Sequence, residues 1–362
     1  MKIIHCADLH LDSKMETNLN KEQAAERKQE LFATFLRMID LAHEEGVGVI
    51  IIAGDLFDTA DYEQKRIKNR VLETIESNGD IDFIYLRGNH DKSDFFGSLE
   101  NKPDNLKLFD DDKWEAFRYG NVLITGMVFS PKNKGTNIYD KLVLKEEDIN
   151  LVVLHGQESH YKAKNDGELI AIKDLQNKYI DYLALGHIHE YKCERLDNRG
   201  VYCYSGCLEG RGFDECGEKG CVLLDIGENG IESRFVPLSK RIFHEVSVDI
   251  SECTSEKDIR DAIEAKIHDV VKPKDLLKIV LVGEIGEELN VDIAYQLQFI
   301  EDKYYFVKMY NHTKLKIDYM SYRNDISLKG EFIRYIEKLD ISEEEKSKVI
   351  LTGIRALAGR EI

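Results

Sequence analysis

The chain has 362 residues, 43% apolar and 33% charged, with 4 prolines and a formal net charge of −18. This composition is that of a folded chain large enough for one big domain plus a smaller one, and it excludes long disordered tracts. Such an acidic surface repels nucleic acid on average, which excludes a free-standing DNA-binding module unless a basic patch, bound cations or a basic partner offsets the charge.

No uninterrupted apolar run approaches the roughly 18 residues of a spanning helix. Met1-Lys2-Ile3-Ile4 leads straight into a strand-like pattern with no signal-peptide signature, so a cytoplasmic location without membrane association is expected. The seven cysteines are an odd number, and reduced thiols are expected. Cys203, Cys207, Cys216 and Cys221 are spaced C-x3-C-x8-C-x4-C. That spacing lacks the C-x2-C knuckle of structural zinc sites, so small buried residues and turn positions are the favoured reading.

In chain order, Lys2 to Ala7 is a short apolar run ending in Asp8-Leu9-His10. Lys21 to Glu45 has helical periodicity, with Leu31, Phe35, Ile39 and Ala42 on one stripe and Gly46 as a C-cap. Val47 to Ala53 is apolar throughout and rich in β-branched residues, as in a strand covered on both faces, and ends in Gly54-Asp55-Leu56-Phe57-Asp58. A second helix is expected over Tyr62 to Ser77, followed by the strand Phe83 to Leu86 and the turn Arg87-Gly88-Asn89-His90-Asp91. Phe95 to Gly120 is less regular.

Strands are expected at Val122 to Thr125 and at Leu151 to Leu154, the latter ending in His155. A helix is expected over Leu169 to Lys178. The strand Tyr182 to Leu185 ends in Gly186-His187-Ile188-His189, and Val201 to Tyr204 and Cys221 to Ile226 are further strands. This alternation of strand and helix predicts a layered α/β sheet architecture. After Pro237 the texture shifts to a small α+β pattern: strands at Phe243 to Val248, Leu277 to Val282 and Tyr304 to Met309, and a helix over Ser255 to His268. From Leu328 the tail reads as helices, with Ser342 as an N-cap before Glu343-Glu344-Glu345.

Asp8-x-His10, Gly54-Asp55-x-x-Asp58, Asn89-His90, His155 and His187-x-His189 each follow an apolar run. In open α/β sheets, functional groups gather where loops converge beyond the carboxyl ends of strands. Residues i and i+2 share one side of an extended segment, so Asp8 with His10, and His187 with His189, can face one site. A single histidine after a strand is more often a cap or core residue; five strand ends in register are not explained that way. Carboxylate, imidazole and amide oxygens suit Mn²⁺, Fe²⁺ or Zn²⁺ rather than a soft-metal site. Seven candidate ligands exceed one tetrahedral ion, so two ions sharing a carboxylate are expected, an arrangement suited to phosphoester hydrolysis.

The series D-x-H, G-D-x-x-D, G-N-H-D, H and G-H-x-H resembles the calcineurin-like metallophosphoesterase family. The stretches His5 to Asp12, Ala53 to Asp58 and Gly210-Arg211-Gly212-Phe213-Asp214-Glu215 are similar to those of SbcD-type DNA repair exonucleases, in a shorter bacterial branch. The resemblance implies a metallophosphoesterase β-sandwich flanked by helices over residues 1–238, a small α+β capping domain over 239–327, and a helical, partner-binding tail over 328–362.

It further implies that Asp8, His10 and His189 bind one metal, that Asn89, His155 and His187 bind the other, and that Asp55 bridges. Mn²⁺ is the expected ion. His90 is then a catalytic residue that meets the substrate, and Asp58 orients it; an N-cap role is the competing reading for Asp58. Arg211 is a candidate for substrate binding or loop anchoring, and Arg87 for a phosphate contact or a surface position. DNA, an SbcC-like coiled-coil ATPase and a second copy of the chain are the implied partners. Two readings compete with the nuclease: a phosphodiesterase of small molecules such as cyclic nucleotides, and a non-catalytic regulator of the ATPase.

Overall fold

Val49–Ala53 is buried at every position and forms a central strand of a two-sheet unit. Its side chains alternate between two cores. Ile50 and Ile52 pack with helical residues such as Leu31 and Phe35, while Val49, Ile51 and Ala53 pack with Ile124, Leu151 and Tyr182 of a second sheet. An uninterrupted β-branched run is what such double coverage requires. The computed structural model describes all residues except 16–18, 59–64, 92–93, 131–132, 134–137, 160–168, 229, 287, 317–324 and 358–362. The described chain divides into two compact units, Met1–Ile242 and Phe243–Ile362.

In the first unit, one sheet contains β1 (Lys2–Cys6), β2 (Val49–Ala53), β3 (Asp82–Leu86), β4 (Leu106–Leu108), β13 (Gly220–Gly227) and β14 (Gly230–Pro237). The other contains β5 (Glu115–Tyr119), β6 (Val122–Gly126), β7 (Ile149–His155), β10 (Tyr182–Gly186), β11 (Lys192–Arg195) and β12 (Val201–Tyr204). Their orders are β14-β13-β1-β2-β3-β4 and β11-β12-β10-β7-β6-β5. The central strands of each sheet run parallel, so their carboxyl ends share an edge.

Helix α1 (Lys21–Glu45) starts at a capping box between Asn20 and Gln23 and ends at Gly46, whose φ of 67° suits the glycine anticipated there. With α2 (Lys65–Ser77) it covers one outer face, and each fully buried Leu or Phe on that face contributes roughly 1.5–3 kcal/mol. The other outer face is covered by Ile138, Tyr139, Leu142 and α3 (Ile172–Leu175). The result is the layered α/β arrangement expected from the alternation of elements.

Several local readings need correction. Leu169 to Lys178 is not one helix: Leu169–Ala171 is a strand, β9, paired with β8 (Gln157–Ser159), and only Ile172–Leu175 is helical. The irregular stretch Phe95 to Gly120 contains β4 and β5. The expected start of the second helix at Tyr62 lies outside the described residues.

In the second unit, β15 (Phe243–Asp249), β16 (Leu276–Val282) and β18 (Phe306–Asn311) form a parallel sheet. Helix α4 (Glu256–Ile267), capped by Ser255, and α5 (Ile293–Leu297) share its core through Ile259, Ile263, Leu277 and Ile279. The short strands β17 (Glu284–Ile285) and β19 (Lys314–Leu315) pair beside it. Two helices, α6 (Leu328–Glu337) and α7 (Glu343–Leu357), pack on Leu315 through Ile333, Ile336 and Ile350. Among the described residues no helix is long and apolar enough to cross a membrane.

Candidate metal centre

The loops that follow β1, β2, β3, β7 and β10 converge, and the backbone does much of the positioning. Beyond the strands the chain stays paired: the amides of Asp8, His10 and Leu11 donate to the carbonyls of Gly54, Asp55 and Leu56, each at 3.0 Å. Four of the predicted ligands have left-handed backbones, Asp8 (φ 53°), His10 (φ 43°), Asp55 (φ 52°) and His187 (φ 102°). Each such residue costs about 1–3 kcal/mol, so the surrounding packing must hold it in place. Gly88 shows how tight the approach is, since a Cβ there would lie 2.1 Å from Asp55 Oδ1 and 2.6 Å from its amide nitrogen.

All seven predicted ligands meet at this edge. One ligand atom from each of Asp8, His10 and His189 lies within 4.8 Å of the others, and the same holds for Asp8, Asp55 and His155. His155 Nε2 is 2.9 Å from Asn89 Oδ1 and 3.3 Å from Asp55 Oδ2, and His187 Nδ1 is 3.2 Å from Asn89 Oδ1. The Asp8 carboxylate accepts from the His187 amide at 3.0 Å, and Asp55 accepts from the His90 amide at 2.8 Å.

Tautomers follow from the partners. His155 Nδ1 donates to the Ala53 carbonyl at 2.9 Å, His10 Nδ1 to Asp58 at 2.5 Å and His189 Nδ1 to Glu215 at 2.7 Å. Each imidazole, when neutral, therefore turns an unprotonated Nε2 into the pocket. His10 Nε2 and His189 Nε2 stand 3.3 Å apart, and the buried Asp55 Oδ2 has no hydrogen-bond partner among the described residues. Lone pairs and an unpartnered carboxylate oxygen at this spacing repel unless positive charge sits among them. The donor set thus fits divalent cations of the imidazole and carboxylate type.

The electrostatics agree. Burial pushes the His155 imidazole down, but Asp55 and Asp8 outweigh it and hold the group up at about 9. The carboxylates here call for positive charge, which a proton or a cation can supply. Burial likewise pushes Asp55 up, and the imidazoles of His155 and His10 bring it well below the usual carboxylate range.

A second layer fixes the imidazoles. Asp58 was expected to orient His90, but its Oδ1 lies against His10 Nδ1 and is 3.5 Å from His90 Nδ1, beyond hydrogen-bond range. His90 itself is exposed at the rim, with its ring edge-on to His10 at 5.2 Å. Arg211 binds Glu215 through Nη2 at 2.9 Å and Asp58 through Nη1 at 3.2 Å, which makes it a strut between the two carboxylates behind His10 and His189. Arg87 lies 3.7 Å from both Asp94 and Asp111, as a surface ion pair.

Three supporting residues were not singled out from the sequence. Glu215 holds His189 and is kept well below the usual range because His189 and Arg211 outweigh its burial. Asp12 accepts from the Asp58 amide at 2.5 Å. Asp91 accepts from the amides of Gly88 at 2.9 Å and Phe57 at 2.9 Å, which ties two ligand loops together. The available signal was their place inside motifs already noted, at spacings that carry no ligand pattern. The cysteines stand apart from the centre: among the described residues no metal-capable group contains one.

Comparison with known proteins agrees with this geometry. An uncharacterized metallophosphoesterase, YhaO, of Bacillus subtilis is 27% identical over 70% of this chain and 64% of its own length. DNA double-strand break repair protein Mre11 of Sulfurisphaera tokodaii is 25% identical over 99% of this chain and 94% of its own. The D component of nuclease SbcCD from Staphylococcus saprophyticus is 25% identical over 66% of this chain and 69% of its own. The calcineurin-like phosphoesterase family model matches residues 1–191, which span β1 to the His187-x-His189 loop, and the chain belongs to that family as a metal-dependent phosphoesterase.

Proposed function

We propose that the protein is a two-metal DNA nuclease that works with a coiled-coil ATPase. The observation that carries the reading is the convergence of Asp8, His10, Asp55, Asn89, His155, His187 and His189, with His90 beside them at the exposed rim. Asp8, His10 and His189 would hold one ion and Asn89, His155 and His187 the other, with Asp55 available to both. Mn²⁺ is the proposed ion, with Fe²⁺ and Zn²⁺ as the other cations this donor set suits. When bound, the ions supply Lewis-acid polarisation of the phosphoryl group and an acidified water.

The chain's own residues do the rest. His90 carries a proton at the rim, where a leaving oxygen can take it. Asp58 and Glu215 keep His10 and His189 in the tautomer that turns Nε2 inward, and Arg211 braces both carboxylates. The buried surroundings of Asp8 and Asp55 exclude competing water from their carboxylates.

The choice of DNA rests on the likeness to the Mre11 and SbcCD proteins, extended over nearly the whole chain in the Mre11 case. A net charge of −18 fits an arrangement in which an ATPase partner supplies much of the DNA grip. The exposed Ile326, Leu328, Tyr335, Val349 and Leu357 around α6 and α7 offer apolar surface for that partner. A cytoplasmic location is part of the proposal.

The test incubates purified protein and Mn²⁺ with linear single- and double-stranded DNA, beside a small phosphodiester, with and without a candidate coiled-coil ATPase. DNA cleavage, stimulated by the ATPase, is expected. Turnover of the small ester alone would replace this reading with a small-molecule phosphodiesterase.

A further inference from the structure

Cys193 on β11 and Cys203 on β12 are direct cross-strand partners in an antiparallel pair. The Leu196 amide donates to the Gly200 carbonyl at 3.0 Å, which marks that pair as hydrogen-bonded. Counting back along the alternating ladder, Cys193 and Cys203 occupy a non-hydrogen-bonded pair, where Cα atoms stand about 4.5 Å apart and side chains approach closely. That separation lies inside the roughly 4.4–6.8 Å range in which two cysteines can be bridged.

The two sulfurs differ in access. Cys203 is fully buried in the core between the sheets, against Tyr182. Cys193 is half-buried on β11, the edge strand of its sheet. We propose that Cys193 and Cys203 form an oxidisable dithiol, in which peroxide attacks at Cys193 and Cys203 then closes a disulfide across the β11–β12 hairpin.

The groups facing Cys193 support that order. The adjacent Cys203 thiol, with Ser233, outweighs burial and the neighbouring Glu194 and holds the Cys193 thiol below its ordinary value. A lowered thiol on an accessible strand is the reactive type. The Cys193 sulfur attacks one peroxide oxygen, the O–O bond breaks, and the leaving hydroxide takes a proton to become water. The Cys203 sulfur then attacks the resulting sulfenic acid, the S–O bond breaks, and a second water leaves with the Cys203 proton. Two thiols are oxidised and one peroxide is reduced to two waters.

Cys6 and Cys221 are near each other as well, but both are sealed in the core and burial pushes both thiols up, so reagent reaches neither. The disulfide would pin a hairpin whose first strand begins three residues after His189, so oxidation stiffens the segment next to a candidate ligand.

The test treats the reduced full-length protein with hydrogen peroxide, caps remaining thiols with iodoacetamide, and maps tryptic peptides by mass spectrometry. Cleavage after Lys192, Arg195 and Arg199 separates the two cysteines. A linked peptide joining Cys193 to Cys203, lost on adding dithiothreitol and lost in Cys193→Ser, is expected. In Cys203→Ala, Cys193 should instead be trapped as a sulfenic acid by dimedone. Should Cys203→Ala fail to fold, wild type against Cys193→Ser still decides. Full alkylation of Cys193 after peroxide, or a disulfide between any other pair, would overturn the proposal.

Discussion

His10 has a left-handed backbone, a fully buried ring, an Nδ1 held by Asp58 and an Nε2 aimed at His189. Each feature alone is a cost; together they describe a side chain locked so that its Nε2 faces the candidate metal centre. Its neighbour at the rim, His90, has none of these restraints, which fits a proton-carrying role. His90→Ala should therefore lower phosphodiester turnover by roughly 10²–10⁴-fold while metal content by elemental analysis stays unchanged. Loss of metal from the variant would make His90 a ligand. At this scale the sequence was informative about which residues meet, because each motif directly follows an apolar strand; the alternation of an extended segment is not the cause, since Asp8, His10 and His187 have left-handed backbones. It was silent on who holds whom. Asp58 pairs with His10 rather than His90, and Glu215 serves His189, because both contacts depend on loop packing between segments far apart in sequence.

At the scale of elements, α1 is tied to the loop that carries Arg211. Arg27, fully buried, donates to Glu30, to Glu209 at 3.0 Å and to the Gly210 carbonyl at 2.7 Å, while Thr34 donates to Glu209 at 2.7 Å. Removing Arg27 takes a buried cation from both carboxylates and leaves the Gly210 carbonyl without this donor, although Arg241 still faces Glu30 and Thr34 still donates to Glu209. Arg27→Ala should cost about 3–5 kcal/mol in denaturant unfolding, and a cost under about 1 kcal/mol would show that the network is dispensable. The periodicity of Leu31, Phe35 and Ile39 revealed the inner face of α1, and nothing in the pattern marked Arg27 as buried. The helix expected over Leu169 to Lys178 fails for a related reason. Leu169, Ile170 and Ala171 suit a helix by composition, and a three-residue pairing with β8 decides otherwise.

For the whole molecule, one buried group gives a pH signature away from the centre. His5 lies in the core with Nδ1 at 2.9 Å from the Tyr182 hydroxyl, and burial lowers it from 6.5 to about 3. Between these values the unfolded chain binds a proton that the folded chain does not, so stability falls as pH drops through this window, by up to about 1.4 kcal/mol per pH unit. Well above the ordinary histidine value both states are neutral and the group adds nothing to the slope. His5→Gln should flatten the acid limb of an unfolding-versus-pH curve; an unchanged limb would assign it to other groups. Lys2 to Ala7 reads as an apolar run with His5 inside it, and nothing in that pattern sets the imidazole apart as a buried titrating group.

The candidate metal centre brings Asp8 to His189 across 181 positions of chain, with β1 further flanked by β13. On a ribosome adding roughly 5–20 residues per second, Asp8 and His10 wait on the order of 10–40 s for their last partners to be made. During that interval the loops after β1 and β2 carry Asp8, His10, Asp55 and Asp58 without the later partners of the site. Metal choice in the cell is then expected to depend on which ion is abundant when residues near 190 emerge, as much as on the affinity of the finished site.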